Sequence, residues 1–378
     1  CSGGGNFLVY EKEGARVPLK RVRSYFKKQG PNLCEVLYTA VTSDESIALE
    51  LTAFLPRTDD CSRAMHSFKY TFLKDAPFTR LAFYQLGADG YNDNIYRTMA
   101  IGNDCGPISF AIGGQTFSGE FEPPLSDKDE YSLTGGEMQR ISVPGRGLFI
   151  GFFKAEPQKT NFCKEGPVAN RFINLLDYSA TINGAVSKKP AVNLRVTHDY
   201  GIPCIAAELA PEKEAGSIIK AGSVICGTVE YVNLPVKKEY YYGPSRVLRA
   251  VPSQEFNTFR LAHRVSLAGR YQCRAIKGTL TRSYPITIEA DSAQQAHIII
   301  EGGFSYVPLV FTGLDSYRNY ALEQLTPEGW RRVDQSVYGN DYWQCAYDAG
   351  RDKYELIFNV EHCGEPASEY QYRLIKLD

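Results

Sequence analysis

The sequence predicts an all-β protein, consisting of a large antiparallel β-supersandwich followed by a small β-sandwich. Three observations predict this fold class: abundant aromatic residues, a period-two alternation of apolar and polar residues, and frequent turn residues. The 378-residue chain contains 25 Tyr and 20 Phe, which suit the half-buried surface of a pleated sheet. Its 33 Gly and 20 Pro divide it into short segments. Strands joined to strands, with few helices between them, favour antiparallel sandwiches over βαβ units.

The alternation is clearest in one early segment of the chain. Leu49, Leu51 and Ala53 fall on one face of the expected strand, and Glu50 and Thr52 fall on the opposite face. This pattern predicts a strand with one face in the core and the other in solvent. The same period recurs in residues 68–72, 138–143, 224–232, 286–289 and 354–360.

Helical periodicity is confined to two short candidates, residues 168–176 and 246–256. A polar stretch near residues 289–295 is a plausible domain boundary, because the tail after it holds several short strand-like segments, enough for a small sandwich module. We therefore expect a supersandwich over residues 1–290 and a small sandwich over residues 291–378.

Charge, apolar run length and motifs exclude several classes of protein. The 42 Lys and Arg against 43 Asp and Glu give a formal net charge of −1, so no overall charge attracts nucleic acid. The longest apolar stretches, such as residues 147–153, are much shorter than the roughly 20 residues of a transmembrane helix. The motifs GxGxxG, GxxxxGK[ST], HExxH and GxSxG are absent. Nucleotide-dependent, zincin and α/β-hydrolase chemistry therefore has no local signature.

The first residues bear on location. Cys1 is followed by Ser-Gly-Gly-Gly-Asn, which resembles the mature start of a bacterial lipoprotein whose cysteine carries the lipid. We expect a secreted or bacterial cell-surface protein, lipid-anchored through Cys1; the alternative is that Cys1 is a fragment boundary. The sequence has no Asn-x-Ser/Thr sequon, which disfavours a eukaryotic secreted glycoprotein.

The ten cysteines include no CxxC pair, which disfavours zinc knuckles and thioredoxin-like chemistry. Cys34, Cys226, Cys273 and Cys345 lie within predicted strands, where a free thiol packs as a small apolar side chain. The remaining candidates for disulfides in an oxidising compartment lie near turns: Cys61, Cys105, Cys163, Cys204 and Cys363.

The densest polar and aromatic cluster follows a predicted strand at residues 80–84. Its amide and carboxylate groups can hydrogen-bond a sugar, and its tyrosines can stack on the sugar ring. Asp89 and Asp93 are candidate Ca²⁺ ligands, although their spacing is not that of an EF-hand. The alternative is a turn rich in Asx residues that binds nothing, and apart from this Ca²⁺ no cofactor is expected. The residues predicted to bind a ligand are Tyr84, Gln85, Asp89, Tyr91, Asn92 and Asn94.

A second cluster spans residues 237–246, and it combines three tyrosines with cations. Tyr241 could act as a base on a uronic acid while Arg246 neutralises the carboxylate of the substrate, which is the chemistry of a polysaccharide lyase. The alternative is an aromatic loop that packs against the end of a sandwich. His198 and Tyr200 are further catalytic candidates, because alternate residues of a strand share a face.

Four segments, residues 78–94, 227–235, 241–244 and 333–344, resemble the β-rich regions of large bacterial carbohydrate-active enzymes. This resemblance implies a supersandwich of the galactose mutarotase or polysaccharide lyase type with a smaller terminal sandwich, and no catalytic residue carries over from it. It predicts a carbohydrate-binding or scaffold region of a polysaccharide-degrading system, with a polysaccharide or oligosaccharide as partner and further domains in a longer chain. The alternatives are a lyase-like enzyme and a structural or adhesive surface protein without a glycan ligand.

Overall fold

A computed structural model gives the fold. Strands account for 65% of the structure and helices for 7%, which confirms the all-β prediction. Within the described part of the chain, no helix is both long enough and apolar enough to cross a membrane. The described residues are 7–57, 62–87, 98–104, 106–107, 110–112, 115–117, 138–141, 147–153, 169–199, 202–213, 216–235, 238–240, 246–255, 259–333 and 343–377.

The larger, N-terminal part of the fold contains 21 strands in the described residues. In chain order they are β1 (Val9–Lys12), β2 (Ala15–Arg16), β3 (Leu19–Lys28), β4 (Leu33–Thr42), β5 (Ile47–Pro56), β6 (Ser62–Phe72), β7 (Ala76–Pro77), β8 (Arg80–Ala82), β9 (Tyr84–Gly87), β10 (Thr98–Asn103), β11 (Gly106–Pro107), β12 (Phe110–Ile112), β13 (Gln115–Phe117), β14 (Met138–Ile141), β15 (Leu148–Phe153), β16 (Ala169–Ile182), β17 (Ala185–Ser187), β18 (Ala191–Asp199), β19 (Ile202–Ala210), β20 (Ile218–Ile219) and β21 (Val224–Pro235).

A ten-stranded antiparallel sheet forms the first layer, in the order β11-β10-β15-β16-β21-β6-β5-β4-β3, with β17 added beside β16. The predicted alternation is confirmed in β5, where Leu49 and Leu51 are buried and Glu50 is exposed. Apolar side chains of alternate positions therefore point to one face of the sheet, which we call the inner face, and polar side chains point to the outer face.

The second layer covers the inner face. It consists of two sheets, with the strand orders β14-β18-β19-β9 and β2-β1-β8. A hydrogen bond from Phe83 N, between β8 and β9, to Leu209 O of β19 (2.9 Å) joins them. Burial of apolar side chains between the two layers is the main source of stability of such a sandwich. The core includes Leu49, Phe68, Tyr70, Phe83, Leu86, Ile150, Ile173, Val192, Leu194, Leu209 and Ile225.

Two α-helices, α1 (Arg246–Ala250) and α2 (Phe259–Gly269), cover part of the outer face, with short 3₁₀ turns at Lys238–Tyr240 and Ser253–Glu255. Leu261 and Val265 of α2 share a buried cluster with Phe172 and Val232 of the sheet. The helix predicted at residues 246–256 is thus present as α1, over its first part.

The helix predicted at residues 168–176 is wrong, because residues 169–176 belong to strand β16. A β-bulge interrupts the pairing of β16 with β21 between Leu175 and Asp177. The bulge inserts Leu176 as an extra residue, so Leu175 and Leu176 are adjacent apolar residues that contribute to different clusters. The bulge interrupts the alternation of apolar and polar residues that marks a strand, and this interruption led to the helix prediction.

The C-terminal part of the fold is a two-sheet sandwich. Its sheets have the orders β22-β25-β31-β27-β28 and β23-β24-β26-β30-β29, and β24 and β26 run parallel. Its first three strands precede residue 290 and pair with later strands of this sandwich; the division into two domains at 290 stays a prediction. The strands are β22 (Gln272–Lys277), β23 (Thr279–Ser283), β24 (Ile286–Glu289), β25 (Ala296–Glu301), β26 (Phe304–Leu314), β27 (Tyr320–Thr326), β28 (Gly329–Arg332), β29 (Gln344–Asp348), β30 (Lys353–Cys363) and β31 (Glu369–Lys376).

The small sandwich packs against the outer face of the ten-stranded sheet. Leu33, Phe54 and Met65 of the sheet form one buried cluster with Val310 and Ile357 of the small sandwich. This contact covers one end of strands β5 and β6 and leaves their other end open. The open part of the outer face contains the candidate site.

Candidate functional site

A cleft of about 590 Å³ lies between the outer face of the ten-stranded sheet and the β23–β24 hairpin of the small sandwich. This volume is within the range of small-molecule sites, roughly 300–1,000 Å³. Its walls combine carboxylates, cations and hydroxyls with a similar amount of apolar surface. The lining residues are Glu50, Thr52, Ser67, Phe68, Lys69, Asp177, Cys226, Gly227, Thr228, Leu280, Thr281, Arg282, Ser283 and Tyr284.

The sheet places a row of four polar residues across the floor of the cleft. Asp177 of β16 pairs with Thr228 of β21, Thr228 pairs with Ser67 of β6, and Ser67 pairs with Thr52 of β5. Side chains of directly paired residues point to the same face and lie about 5 Å apart. The hydroxyls of Thr228 and Ser67 are 3.3 Å apart and hydrogen-bonded.

A second row lies two residues further along the strands. Cys226 pairs with Lys69, and Lys69 pairs with Glu50. The Lys69 ammonium lies 3.7 Å from the Glu50 carboxylate, and both side chains are more than half exposed. Because water screens such an exposed pair, we expect both groups to remain available to a ligand.

Asp177 is the most exposed residue of the first row, in which Thr228 is buried and Ser67 and Thr52 are half-buried. Burial raises the pKa of the Asp177 carboxyl, and hydrogen bonds from the hydroxyl and the backbone of Thr228 oppose this shift. The β-bulge before Asp177 is the local feature that returns this residue to the outer face. The Asp177 carboxylate can therefore accept a charge-assisted hydrogen bond from a ligand hydroxyl.

The hairpin contributes Arg282 and Tyr284 to the opposite wall. The Arg282 guanidinium lies over the ring of Phe54, 4.8 Å from the ring centre, and the described residues include no carboxylate paired with it. The Tyr284 hydroxyl donates a hydrogen bond to Tyr271 O (2.9 Å), and burial raises the pKa of Tyr284. Tyr284 is therefore a neutral phenol, and Arg282 is a cation held in place by stacking.

The two carboxylates of the cleft lie on strands that are not adjacent. Asp177 on β16 and Glu50 on β5 are three strands apart, which is about 14 Å at the usual strand spacing. A pair of carboxylates that hydrolyses a glycosidic bond lies about 5–9.5 Å apart. The cleft can therefore hold a polar ligand along the row, with the two carboxylates carried by strands that are three apart.

Two of the sequence-predicted ligand residues lie in a strand. β9 extends to Gly87, so Tyr84 and Gln85 precede the loop in which we expected them. Their side chains are 2% and 8% exposed. The Tyr84 hydroxyl lies 3.1 Å from Nδ1 of His66, and Nε2 of Gln85 donates to Oε1 of Glu208 (3.0 Å). Both side chains thus take part in buried hydrogen bonds between strands.

The remaining members of that cluster, Asp89, Tyr91, Asn92, Asp93 and Asn94, lie outside the described residues, so their ligand and Ca²⁺ roles stay predictions. Among the described residues, no three His, Cys, Asp or Glu side chains are placed to hold a metal ion together.

The catalytic candidates are placed only in part. His198 lies near the end of β18 and pairs with Pro203 in the β18–β19 hairpin. Arg246 is the first residue of α1. Tyr200 and Tyr241 lie outside the described residues, as does Cys1. Their predicted roles therefore stay predictions.

Two described strand residues that flank the predicted clusters lie in one transverse row of the ten-stranded sheet. Thr98, which follows residues 88–97, is in the same transverse row as Leu234, which precedes residues 236–245. Thr228 of the cleft is six residues from Leu234 along β21, which is about 20 Å. The lining of the cleft contains none of the predicted site residues, so sequence reasoning missed this site. The only local signal was the polar face of β5 with Glu50 and Thr52.

The cysteines fit the sequence expectation in part. Cys34, Cys226, Cys273 and Cys345 are free thiols in strands, half-buried rather than fully buried. Burial raises the pKa of Cys273 to about 12, which keeps this thiol protonated and inert. Cys363, a predicted disulfide candidate, is a free and exposed thiol in the structure, which contradicts that expectation.

Comparison with known proteins finds only distant structural matches. No family model matches the chain, and no curated protein does. Similar solved structures include the GH36 alpha-galactosidase AgaA from Geobacillus stearothermophilus (10% identity, TM-score 0.32, 60% of this chain and 29% of that one). An alpha-galactosidase from Lactobacillus brevis has 12% identity and a TM-score of 0.34, over 61% of this chain and 29% of that one. A polysaccharide lyase has 7% identity and a TM-score of 0.19, over 100% of this chain and 39% of that one. The chain spans less than half the length of each of these enzymes.

Proposed function

We propose that this chain is a carbohydrate-binding β-sandwich region of a bacterial polysaccharide-degrading system, and that the cleft beside the β23–β24 hairpin binds an oligosaccharide. The observation that supports this proposal is the row of Asp177, Thr228, Ser67 and Thr52 across the floor of the cleft. A sugar presents several hydroxyls along one edge, and a row of acceptors and donors at about 5 Å intervals matches such an edge.

The wall opposite the row supports the same class of ligand. Arg282 offers a planar set of donors, and Thr281 and Ser283 add hydroxyls beside it. The lining residues include hydrogen-bond donors and acceptors, and they carry both positive and negative charges. One carboxylate and one ammonium group form an exposed ion pair. Such a lining suits a hydroxyl-rich ligand better than an apolar one.

Binding to arrays of acidic and neutral glycans tests the proposal, followed by calorimetry on each hit. We expect Asp177→Asn to weaken binding at least tenfold, because a neutral amide replaces a charge-assisted acceptor. Glu328→Gln, at an exposed position of the small sandwich, is the matched control and should bind as the parent does. The absence of any glycan signal would refute the proposal and favour the structural or adhesive alternative.

The lyase alternative has its own readout. Incubation with polymers of uronic acids should leave the absorbance from unsaturated sugar ends unchanged if the chain only binds. An increase in that absorbance, lost in Tyr241→Phe or in His198→Gln, would replace the binding proposal by lyase chemistry. Each of these variants removes one catalytic candidate while keeping a similar shape.

A further inference from the structure

The small sandwich carries a chain of aromatic rings that the cleft does not use. Trp343 stacks on Tyr317 with ring centres 6.3 Å apart and an angle of 24°. Tyr317 contacts Tyr354 at 5.4 Å, and Tyr354 contacts Tyr347 at 5.1 Å. We call these four residues the aromatic strip.

Two residues of the aromatic strip pack against the core, and the other two are exposed. Tyr317 and Tyr354 pack against the core of the small sandwich. Trp343 is 36% exposed and Tyr347 is 53% exposed. Packing against the core explains the inner pair, whereas the outer pair present ring surface to solvent.

Polar partners fix the orientation of these rings. The Tyr347 hydroxyl donates to Oδ1 of Asp352 (2.6 Å). Nε of Arg318 donates to the Tyr317 hydroxyl (2.9 Å), and the Arg318 guanidinium lies 5.1 Å from the centre of the Tyr317 ring. Exposed rings that are already held in one orientation lose little conformational entropy when a ligand binds.

The strip follows an edge strand. Trp343 directly precedes β29 and Tyr347 lies within it, and four residues of extended chain span about 13 Å. β29 is the edge strand of its sheet, and β23, whose hairpin lines the cleft, is the strand at the opposite edge. Four strand spacings, about 19 Å, separate the two locations.

We propose that the aromatic strip is a second carbohydrate-binding surface, which takes neutral pyranose rings on Trp343 and Tyr347. The apolar C–H face of a pyranose packs on an aromatic ring, and planar polar groups at the rim bond to its hydroxyls. Asp352 and Arg318 supply these groups, one of each charge, so the rim has no net charge that would select an ionised sugar. This inference extends the proposed function to a different site.

Two binding surfaces on one chain have a functional consequence. A polysaccharide that reaches both would bind more tightly than either site alone, because the second contact is intramolecular. A short oligosaccharide cannot span both sites and should gain nothing. The strip therefore favours polymeric over oligomeric ligands.

Intrinsic fluorescence reports on the strip directly. The chain has two tryptophans, and Trp330 is covered by Arg373 (4.2 Å) and by His297 (5.3 Å). In Trp330→Phe, Trp343 is the only tryptophan reporter. We expect cellohexaose, xylohexaose or galactan oligosaccharides to change the emission of Trp343 in a saturable way.

Variants separate stacking from other effects. Tyr347→Ala should weaken this binding about fivefold to tenfold, as expected for the loss of one aromatic contact. Tyr347→Phe should retain most of the affinity because it keeps the ring. Tyr25→Ala removes a similarly exposed tyrosine, 49% exposed, from the distant strand β3 and should change nothing.

The outcomes distinguish the two sites. A Trp343 response that persists in Asp177→Asn supports the strip as an independent site. Calorimetric binding without any Trp343 response overturns this inference and leaves the proposed function intact. A Trp343 response with no calorimetric effect of Asp177→Asn keeps the strip and refutes the cleft. A response to a proline-rich peptide but to none of the three oligosaccharides overturns the assignment to sugars.

Discussion

Arg63 and Glu230 form a buried ion pair between neighbouring strands of the ten-stranded sheet. Nε of Arg63 lies 2.9 Å from Oε1 of Glu230, and the two side chains are 6% and 2% exposed. Nη1 of Arg63 also donates to Phe304 O (2.8 Å) and to Tyr306 O (3.0 Å). One guanidinium thus joins the large sheet to the first residues of β26 in the small sandwich.

Arg63→Ala should lower the free energy of unfolding by about 3–5 kcal/mol, because it leaves the buried Glu230 carboxylate without its counter-ion. Chemical denaturation followed by fluorescence measures this change. The double variant Arg63→Met, Glu230→Gln should lose less than Arg63→Ala, since no uncompensated charge remains. An equal loss in both variants would mean that lost packing, and not the orphaned charge, causes the destabilisation.

Gln344 is a second connection between the two parts of the chain. Its Oε1 accepts hydrogen bonds from Asn32 N (3.1 Å) and Leu33 N (3.0 Å), and its Nε2 donates to Leu33 O (2.9 Å). Gln344→Ala should destabilise the protein by about 2–4 kcal/mol, because three buried backbone groups lose their partner. The exposed Gln272→Ala is the control, with an expected change below about 0.5 kcal/mol. Thermal unfolding of the two variants side by side tests the difference.

The sequence predicts what depends on local periodicity and misses what depends on strand order. The faces of β5 follow from the alternation of Leu49, Glu50 and Leu51, which is a property of neighbouring residues. By contrast, Asp177 and Thr52 lie in one row because β16, β21, β6 and β5 follow one another in the sheet. No local sequence pattern predicts this strand order. Gln344 and Leu33 are more than 300 positions apart, so their contact was equally invisible.

His362 makes stability depend on pH. The ring is fully buried, with Nδ1 2.7 Å from Gly302 O and Nε2 3.1 Å from the Tyr372 hydroxyl. These contacts suit a neutral ring that donates from Nδ1 and accepts at Nε2. Burial lowers the pKa of His362 to about 4, against about 6.5 in the unfolded chain. Between these values the unfolded state binds more protons, so stability falls as pH decreases from about 6.5 to about 4.

The loss assigned to His362 amounts to about 3 kcal/mol over that range. In His362→Gln the amide can still donate to Gly302 O and does not titrate, so denaturation at a series of pH values should show a smaller slope. Burial lowers the pKa of His66 to about 4 as well, so part of the slope should remain. An unchanged slope in His362→Gln would show that His362 is not the group that titrates.

Arg282 should set the charge preference of the cleft. The lining has two carboxylates, Asp177 and Glu50, and two cations, Lys69 and Arg282. Lys69 pairs with Glu50, whereas no described carboxylate forms an ion pair with Arg282. A uronic acid carboxylate can form two parallel hydrogen bonds with a guanidinium. We expect Arg282→Gln to weaken binding of an acidic oligosaccharide about tenfold or more and binding of its neutral counterpart less. Arg282→Lys keeps the charge but loses the planar guanidinium. Its calorimetric affinity for the acidic oligosaccharide should lie between those of the parent and of Arg282→Gln.

The loop predicted from the sequence gives the last test. Asp89 and Tyr91 combine an acceptor for sugar hydroxyls with a ring for the apolar sugar face, and loops at the ends of sandwiches commonly carry binding residues. Asp89→Ala and Tyr91→Ala should each weaken glycan binding while changing stability by less than about 0.5 kcal/mol, as for an exposed loop. Tyr84→Phe is an informative comparison, because its hydroxyl contacts His66 in the core and its loss should lower the melting temperature instead. If Asp89→Ala or Tyr91→Ala prevents folding, the cluster is a structural turn, and ligand binding must then be assigned to the cleft and the aromatic strip.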